Sequence, residues 1–275
     1  MKFVDSHAHL VHNPQGLDSI VESGAFSEIW LMDLSPVQRL GDIELATEAE
    51  LFEVQRRYPG FFRLFGFLDL DNATPEDVRR QRDKGFVGLK PYKQLKPYGD
   101  YSYFPLYAEA EKLGMPILFH TGLIAHASRY DGTIRHSFGP ENMRPTHLAG
   151  IAEAFPDLQI IQGHMGWPYM EETEQNLYYY KNITGDQSGY LNDIKRFTET
   201  LDRRAHDGTD RYFNDKMHFA TDEFYGCPAS NERALKLKTF WELYFGLVGS
   251  IYYRWGRPEE QEKFFVTNAK AIFGR

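Results

Sequence analysis

Short apolar segments alternate with amphipathic helical segments along the whole chain. Several of the apolar segments are nearly continuous hydrophobic runs, which is typical of strands buried on both faces of a parallel sheet. Helix signals lie between most of them: Thr74 and Pro75 form a helix start, and Gly85 ends that helix. The predicted strands are Lys2–His7, Glu28–Asp33, Phe62–Leu70, Phe86–Lys90, Pro116–His120, Leu158–His164, Leu177–Thr184 and Met217–Asp222.

Eight strands with intervening helices predict an α/β protein, a (β/α)8 TIM barrel whose active site lies at the C-terminal ends of the strands. A length of 275 residues suits this fold as a single domain over residues 1–275. In the seventh strand, Tyr178–Tyr180 are also compatible with a helix.

Composition excludes several classes of protein. The chain has 31 Lys and Arg against 39 Asp and Glu, a formal charge of -8, and it has no basic block, which argues against nucleic-acid binding. No apolar run is long enough to cross a membrane, and the single Cys227 cannot form an intramolecular disulfide. A strand-like segment begins at once, so we expect no signal peptide and a cytoplasmic protein that acts on a small molecule. Homo-oligomerisation stays open.

Side chains that can bind metal collect at the ends of four predicted strands. His7 and His9 close the first strand, His120 the fifth, His164 the sixth and Asp222 the eighth. The carboxyl ends of parallel barrel strands meet at one face, where active sites are built. Each histidine alone is readily explained as a core or surface residue with its hydrogen bonds satisfied. The set together predicts a metal site.

Three imidazoles and one carboxylate can hold one divalent ion and leave a coordination position for water or substrate. From the nitrogen and oxygen donors we expect zinc first and manganese next. Asp222 can also accept a proton from the activated water.

Motifs spread over the chain form a recognisable series. It begins with VDSHAHL at residues 4–10 and ends with NAKAIFG at residues 268–274. Between them lie GFVGLKP at 85–91, PILFHTG at 116–122, FPDLQIIQGHMG at 155–166 and the pair TD at 221–222. In order and spacing these motifs resemble the amidohydrolase superfamily, and most closely its amidohydrolase-2 branch, which is related to aminocarboxymuconate semialdehyde decarboxylase.

The resemblance implies that His7, His9, His120 and Asp222 hold one divalent metal. It implies that His164 polarises the substrate or moves a proton beside the metal. In some superfamily members a carboxylated lysine at the position of Lys90 bridges two ions, so a carboxylated Lys90 would bring a second ion. Otherwise Lys90 binds a substrate carboxylate or is purely structural.

Four further residues are candidates for substrate binding. Arg129 and Arg144 lie in the long loop that follows the fifth strand, where they either bind a carboxylate or lactone oxygen or are solvated surface charges. Tyr92 either lines the pocket or covers the mouth of the barrel. Trp167 follows His164 closely and can pack against a planar substrate.

We therefore expect a metal-dependent hydrolase that acts on a lactone, an amide or a related carboxylic derivative. Asp222 would accept a proton from metal-activated water, and His164 would assist at the developing oxyanion. The alternative is a non-oxidative decarboxylase of a carboxylated aromatic or dienoic substrate, because the same mononuclear site serves both reactions. A barrel that binds without turnover is disfavoured by the completeness of the histidine and aspartate set.

Overall fold

Parallel strands form the centre of the molecule, a computed structural model that describes residues 1–124, 140–188, 194–207, 214–248 and 257–274. The strands are β1 Phe3–Leu10, β2 Phe26–Met32, β3 Arg39–Leu40, β4 Ile43–Glu44, β5 Phe62–Leu68, β6 Gly88–Pro91, β7 Ile117–His120, β8 Ile160–Gly163, β9 Ile183–Asp186, β10 Met217–His218 and β11 Phe224–Tyr225. Nine of them form one sheet in the order β10-β9-β8-β7-β6-β5-β2-β1-β11, while β3 and β4 form a separate antiparallel hairpin.

The two ends of the sheet come from one continuous segment, Met217–Tyr225. Its first part, β10, pairs with β9, and its last part, β11, pairs with β1. Between them the amide of Ser6 donates to the carbonyl of Phe219 at 3.1 Å, and the amide of Asp222 donates to the carbonyl of His7 at 2.8 Å. The segment acts as the eighth strand and closes the sheet on itself. The predicted (β/α)8 barrel is confirmed.

The helices lie between the strands. They are α1 Leu17–Glu22, α2 Glu48–Arg57, α3 Pro75–Lys84, α4 Phe104–Lys112, α5 His147–Ala154, α6 Met170–Tyr179, α7 Ile194–Asp207, α8 Pro228–Val248, α9 Pro258–Glu262 and α10 Asn268–Ala271. The predicted bounds of α3 hold for a local reason. The carboxylate of Asp77 accepts the amide of Thr74 at 2.8 Å, and Gly85 ends the helix at a φ of 107°.

The seventh predicted strand is placed wrongly in part. The sequence predicts an extended strand over Leu177–Thr184, but α6 continues to Tyr179 and the strand begins only at Ile183. Met170, Thr173 and Leu177 are buried at helical spacing, whereas Tyr179 is 72% exposed. The aromatic run therefore follows a helical period, with one side of the helix packed on the barrel and the other in solvent.

Hydrophobic side chains fill the space between sheet and helices, and a second cluster joins Val4, Trp30 and Phe65 with Ala269 and Ile272 near the C-terminus. Among the described residues, no helix is both long and apolar enough to cross a membrane.

Candidate metal centre and its cavity

Two histidines of β1 and the aspartate of the eighth strand converge at the carboxyl ends of their strands. Nε2 of His9 lies 3.2 Å from Oδ1 of Asp222, and Nε2 of His7 lies 3.6 Å from the same oxygen. One donor atom from each of the three residues lies within 4.8 Å of the others. The backbone hydrogen bond from the amide of Asp222 to the carbonyl of His7 sets the position of Asp222 along β1. Closure of the barrel therefore assembles the cluster.

The backbone at Asp222 has a φ of 55°, in the left-handed region that aspartate enters more readily than most residues. Buried Asp5 holds the preceding residue: its carboxylate accepts the Thr221 amide at 2.9 Å and the Thr221 hydroxyl at 2.6 Å. Tyr225 donates to the same carboxylate at 2.8 Å. Burial raises the pKa of Asp5 to about 7 despite these hydrogen bonds. This network fixes the turn that carries Asp222.

Lys90, from β6, reaches the same cluster. Its side chain is buried, and Nζ lies 3.0 Å from Nε2 of His7. Burial lowers the pKa of Lys90 to about 8, against the opposing charges of Asp222 and Asp186. The lowered pKa increases the share of the neutral amine, which is the form that carboxylation requires, and Lys90 lines the cavity beside the donor atoms.

His164 and His120 form a second pair beside the first. Nε2 of His164 lies 3.0 Å from Nδ1 of His120, and Nδ1 of His164 lies 3.8 Å from Oδ2 of Asp222. Nε2 of His120 donates to the carbonyl of Leu123 at 3.1 Å. Burial lowers the pKa of both imidazoles. Within the described residues His120 is thus next to His164 but belongs to neither of the two three-residue donor groups, which are His7, His9 and Asp222, and His7, His164 and Asp186.

The donor set fits a divalent ion. Burial, together with the charge of Lys90, lowers the pKa of His7 to about 3, so its imidazole is neutral, as a metal ligand must be. Nδ1 of His9 is buried without a hydrogen-bond partner in the described structure. Burial opposes ionisation of Asp222, but the neighbouring His164 and a hydrogen bond with His9 outweigh it and hold its pKa well below the ordinary value.

A cavity of about 600 Å³ opens above the cluster, within the usual range for small-molecule sites. Its polar lining includes His9, Lys90, His164 and Asp222, and its aromatic lining includes Trp167. The cavity is therefore continuous with the donor atoms and large enough to hold a small substrate over them.

The family model described as Amidohydrolase (Amidohydro_2) matches residues 4–275. The chain belongs to this amidohydrolase family. The family is metal-dependent, and both hydrolase and decarboxylase neighbours carry its fold.

Solved structures share the barrel of this amidohydrolase. A TIM-barrel protein of Bordetella bronchiseptica is 18% identical with a TM-score of 0.70, and 100% of both chains is covered. A probable 2-pyrone-4,6-dicarboxylic acid hydrolase of Acinetobacter baumannii with bound citric acid is 14% identical over 100% of both chains, with a TM-score of 0.61. A 5-carboxyvanillate decarboxylase of Novosphingobium aromaticivorans with bound manganese is 18% identical, covering 94% of this chain and 80% of its own, with a TM-score of 0.55. No curated protein matches the sequence.

Of the four residues that the sequence suggests for substrate binding, two line the cavity and one lies away from it. Tyr92 and Trp167 line the cavity. Arg144 does not: it pairs with Glu172 and lies over the ring of Tyr169, 4.8 Å from its centroid. Arg129 lies outside the described residues.

Sequence reasoning missed one buried carboxylate, Asp186 at the end of β9. Its Oδ2 lies 2.9 Å from Nδ1 of His7, and its Oδ1 accepts the amide of His164 at 2.9 Å. Burial opposes ionisation of Asp186, but its electrostatic interaction and hydrogen bond with the His7 imidazole outweigh burial and lower the pKa of Asp186. The rule that site residues lie at strand ends would have found Asp186 if the seventh strand had been extended by two residues.

Proposed function

We propose that this amidohydrolase is a metal-dependent hydrolase of a small carboxylic derivative such as a lactone or an amide. The observation that carries the proposal is the position of Asp222. One carboxylate oxygen faces the Nε2 atoms of His7 and His9, and the other faces His164. Asp222 is ionised at neutral pH, so it presents an unprotonated oxygen next to the reacting group.

We assign His7, His9 and Asp222 as metal ligands, with His120 as the fourth ligand that the family resemblance implies. Zinc suits these donors best, and manganese follows. When bound, the ion supplies Lewis-acid polarisation of the substrate carbonyl and activation of water.

The surrounding residues have separate roles. Asp222 takes the proton of the attacking water, and His164 donates a hydrogen bond to the oxygen on which negative charge develops. Asp186 accepts Nδ1–H of His7, so Nε2 keeps its lone pair toward the cluster. Lys90 offers an ammonium group that holds an oxygen of the substrate or product.

The test is turnover of lactones and amides by protein reconstituted with zinc or manganese in ¹⁸O-labelled water. We expect one labelled oxygen in the product carboxylate. Asp222→Asn removes the proton acceptor and should lower kcat by about 10²- to 10⁴-fold. Asp215→Asn is the matched control, because Asp215 is partly exposed and pairs with Lys263. A rate for Asp222→Asn close to that of the control would contradict the assigned role.

A second candidate, non-oxidative decarboxylation, is favoured by buried Lys90 beside the donor cluster and by the ring of Trp167 in the same cavity. An ammonium group can hold the carboxylate of an aromatic substrate whose ring packs on the indole. Release of CO₂ from carboxylated aromatics, without ¹⁸O incorporation, would replace hydrolysis by this reaction.

A further inference from the structure

One side of the cavity is an apolar wall formed by Leu34, Leu40, Tyr92 and Phe224. All four belong to a hydrophobic cluster that is separate from the two clusters of the barrel. They come from three places in the chain: the loop and hairpin after β2, the end of β6 and β11. The apolar wall carries the phenol of Tyr92 and no charged group.

The apolar wall is held in place by contacts within the chain. The hairpin that carries Leu40 is fastened to the extension of β1, where the amide of His12 donates to the carbonyl of Glu44 at 2.9 Å and Val11 bridges to Leu45. Behind the wall, Leu45 is buried and Ile43 packs against the same cluster. A surface held this way loses little conformational entropy when a ligand binds.

The apolar wall adjoins the donor cluster directly. Phe224 stacks on His9 with ring centroids 5.1 Å apart, and Tyr92 packs edge-on against His120 at 5.6 Å. A carbonyl group placed at Asp222 therefore has its attached group beside the wall. The cationic side chain of Arg233, which also lines the cavity, is already engaged by both carboxylate oxygens of Glu223.

We infer that the apolar wall selects substrates whose non-reacting part is an uncharged apolar group, an aromatic ring or a branched alkyl chain. Leu34 and Leu40 are then specificity-determining residues supplied by the segment after β2. The inference rests on the proposed function, because it takes this cavity to hold the substrate.

The test compares two ligands that share a carboxylate head, benzoate and acetate, by calorimetric titration of the purified protein. The carboxylate contributes equally to the binding of both ligands, so the ratio of their dissociation constants measures the contact between the benzoate ring and the apolar wall. Wild-type protein should bind benzoate at least about tenfold more tightly, since the ring buries apolar area that a methyl group does not. Leu40→Ala should reduce this preference to about threefold or less and leave acetate binding unchanged.

Two further variants separate lost contact from lost structure. Ile43→Ala shortens a side chain of the same hairpin that does not line the cavity, and it should keep the full preference. Leu40→Met conserves the volume and apolar character of the side chain, so this variant should also keep the full preference for benzoate. Equal binding of both ligands by wild-type protein, including no binding of either, overturns the inference, as does an equal loss in Ile43→Ala and Leu40→Ala.

The outcome is independent of turnover. A benzoate preference that depends on Leu40, with neither hydrolysis nor decarboxylation, would contradict the proposed function and leave only the ligand preference of the apolar wall standing. Hydrolysis, together with a benzoate preference that Leu40→Ala does not change, would support the proposed function and overturn the inference.

Discussion

Buried polar residues around His7 determine what its imidazole can do. Asp186 takes Nδ1, which leaves Nε2 for the cluster of His9, Asp222 and Lys90. A histidine with one nitrogen held by a carboxylate has a fixed tautomer, a fixed ring orientation and a more basic free nitrogen. Asp186 thus supports the group of His7, His9 and Asp222 through His7, and it also forms a second three-residue donor group with His7 and His164.

Asp186→Asn should weaken metal binding without unfolding the barrel. The amide lacks the negative charge that supports His7, and the loss of such a partner typically lowers metal affinity by about 10- to 100-fold. Affinity is measured by competition with a chromophoric chelator. Asp157→Asn, a change at an exposed carboxylate, is the control. Unchanged affinity in Asp186→Asn would show that Asp186 does not support the ligand.

At the scale of elements, two turns pack against each other to bring His120 to His164. The turn after β7 places the amide of Leu123 2.9 Å from the carbonyl of Trp167. Gly122 makes this possible, because it has a φ of 86° and an added Cβ would lie 2.0 Å from that carbonyl oxygen. Pairing of β7 with β8, which sets His120 opposite Gly163, and the close approach of the two turns together set the distance between the imidazoles.

Gly122→Ala should therefore destabilise the protein by roughly 1–3 kcal/mol, because the left-handed backbone and the contact with Trp167 are both strained. Thermal melting measures the change. Gly150→Ala is the matched control: Gly150 lies in α5 with nothing within 4 Å of an added Cβ, so alanine should be neutral or stabilising by about 0.5–1 kcal/mol. Equal melting of Gly122→Ala and wild-type protein would show that this contact is not tight in solution.

At the scale of the whole molecule, closure of the barrel and assembly of the cluster are one event. The hydrogen bond from the amide of Asp222 to the carbonyl of His7 both closes the sheet and places Asp222 beside the histidines. Residues separated by more than two hundred positions meet only when the eighth strand joins the first, so a ligand of the cluster stabilises the closed barrel as a whole.

A divalent ion should accordingly raise the melting temperature. At 100 times its dissociation constant, it adds about 2.7 kcal/mol to the free energy of unfolding. A double variant with His7→Ala and His9→Ala should stay folded, bind no metal and lose this rise. His147→Ala, at a partly buried histidine outside the cluster that is hydrogen-bonded to the Glu141 carbonyl, should keep this rise. Elemental analysis of the same samples gives the stoichiometry, and a full metal content in the double variant would contradict the ligand assignment.

The fold and much of the candidate site are predictable from local sequence. Apolar runs and helix caps place the strands to within a few residues, because burial on both faces of a parallel sheet demands such runs. The same pattern puts His7, His9, His164 and Asp222 at strand ends. It misplaces the seventh strand, where Tyr178 and Tyr179 belong to a helix, and so it misses Asp186.

What the sequence alone determined is the barrel, the family and the residue types at the mouth of the barrel, since these follow from periodicity and from motifs within short segments. Only the tertiary structure decided which nitrogen of His7 faces the donor cluster, that His120 pairs with His164, that Arg144 lies away from the cavity, and that an apolar wall stands beside the donor cluster. These features depend on contacts between residues far apart in the chain. Their distances are set by how strands register and loops pack, which no local pattern encodes.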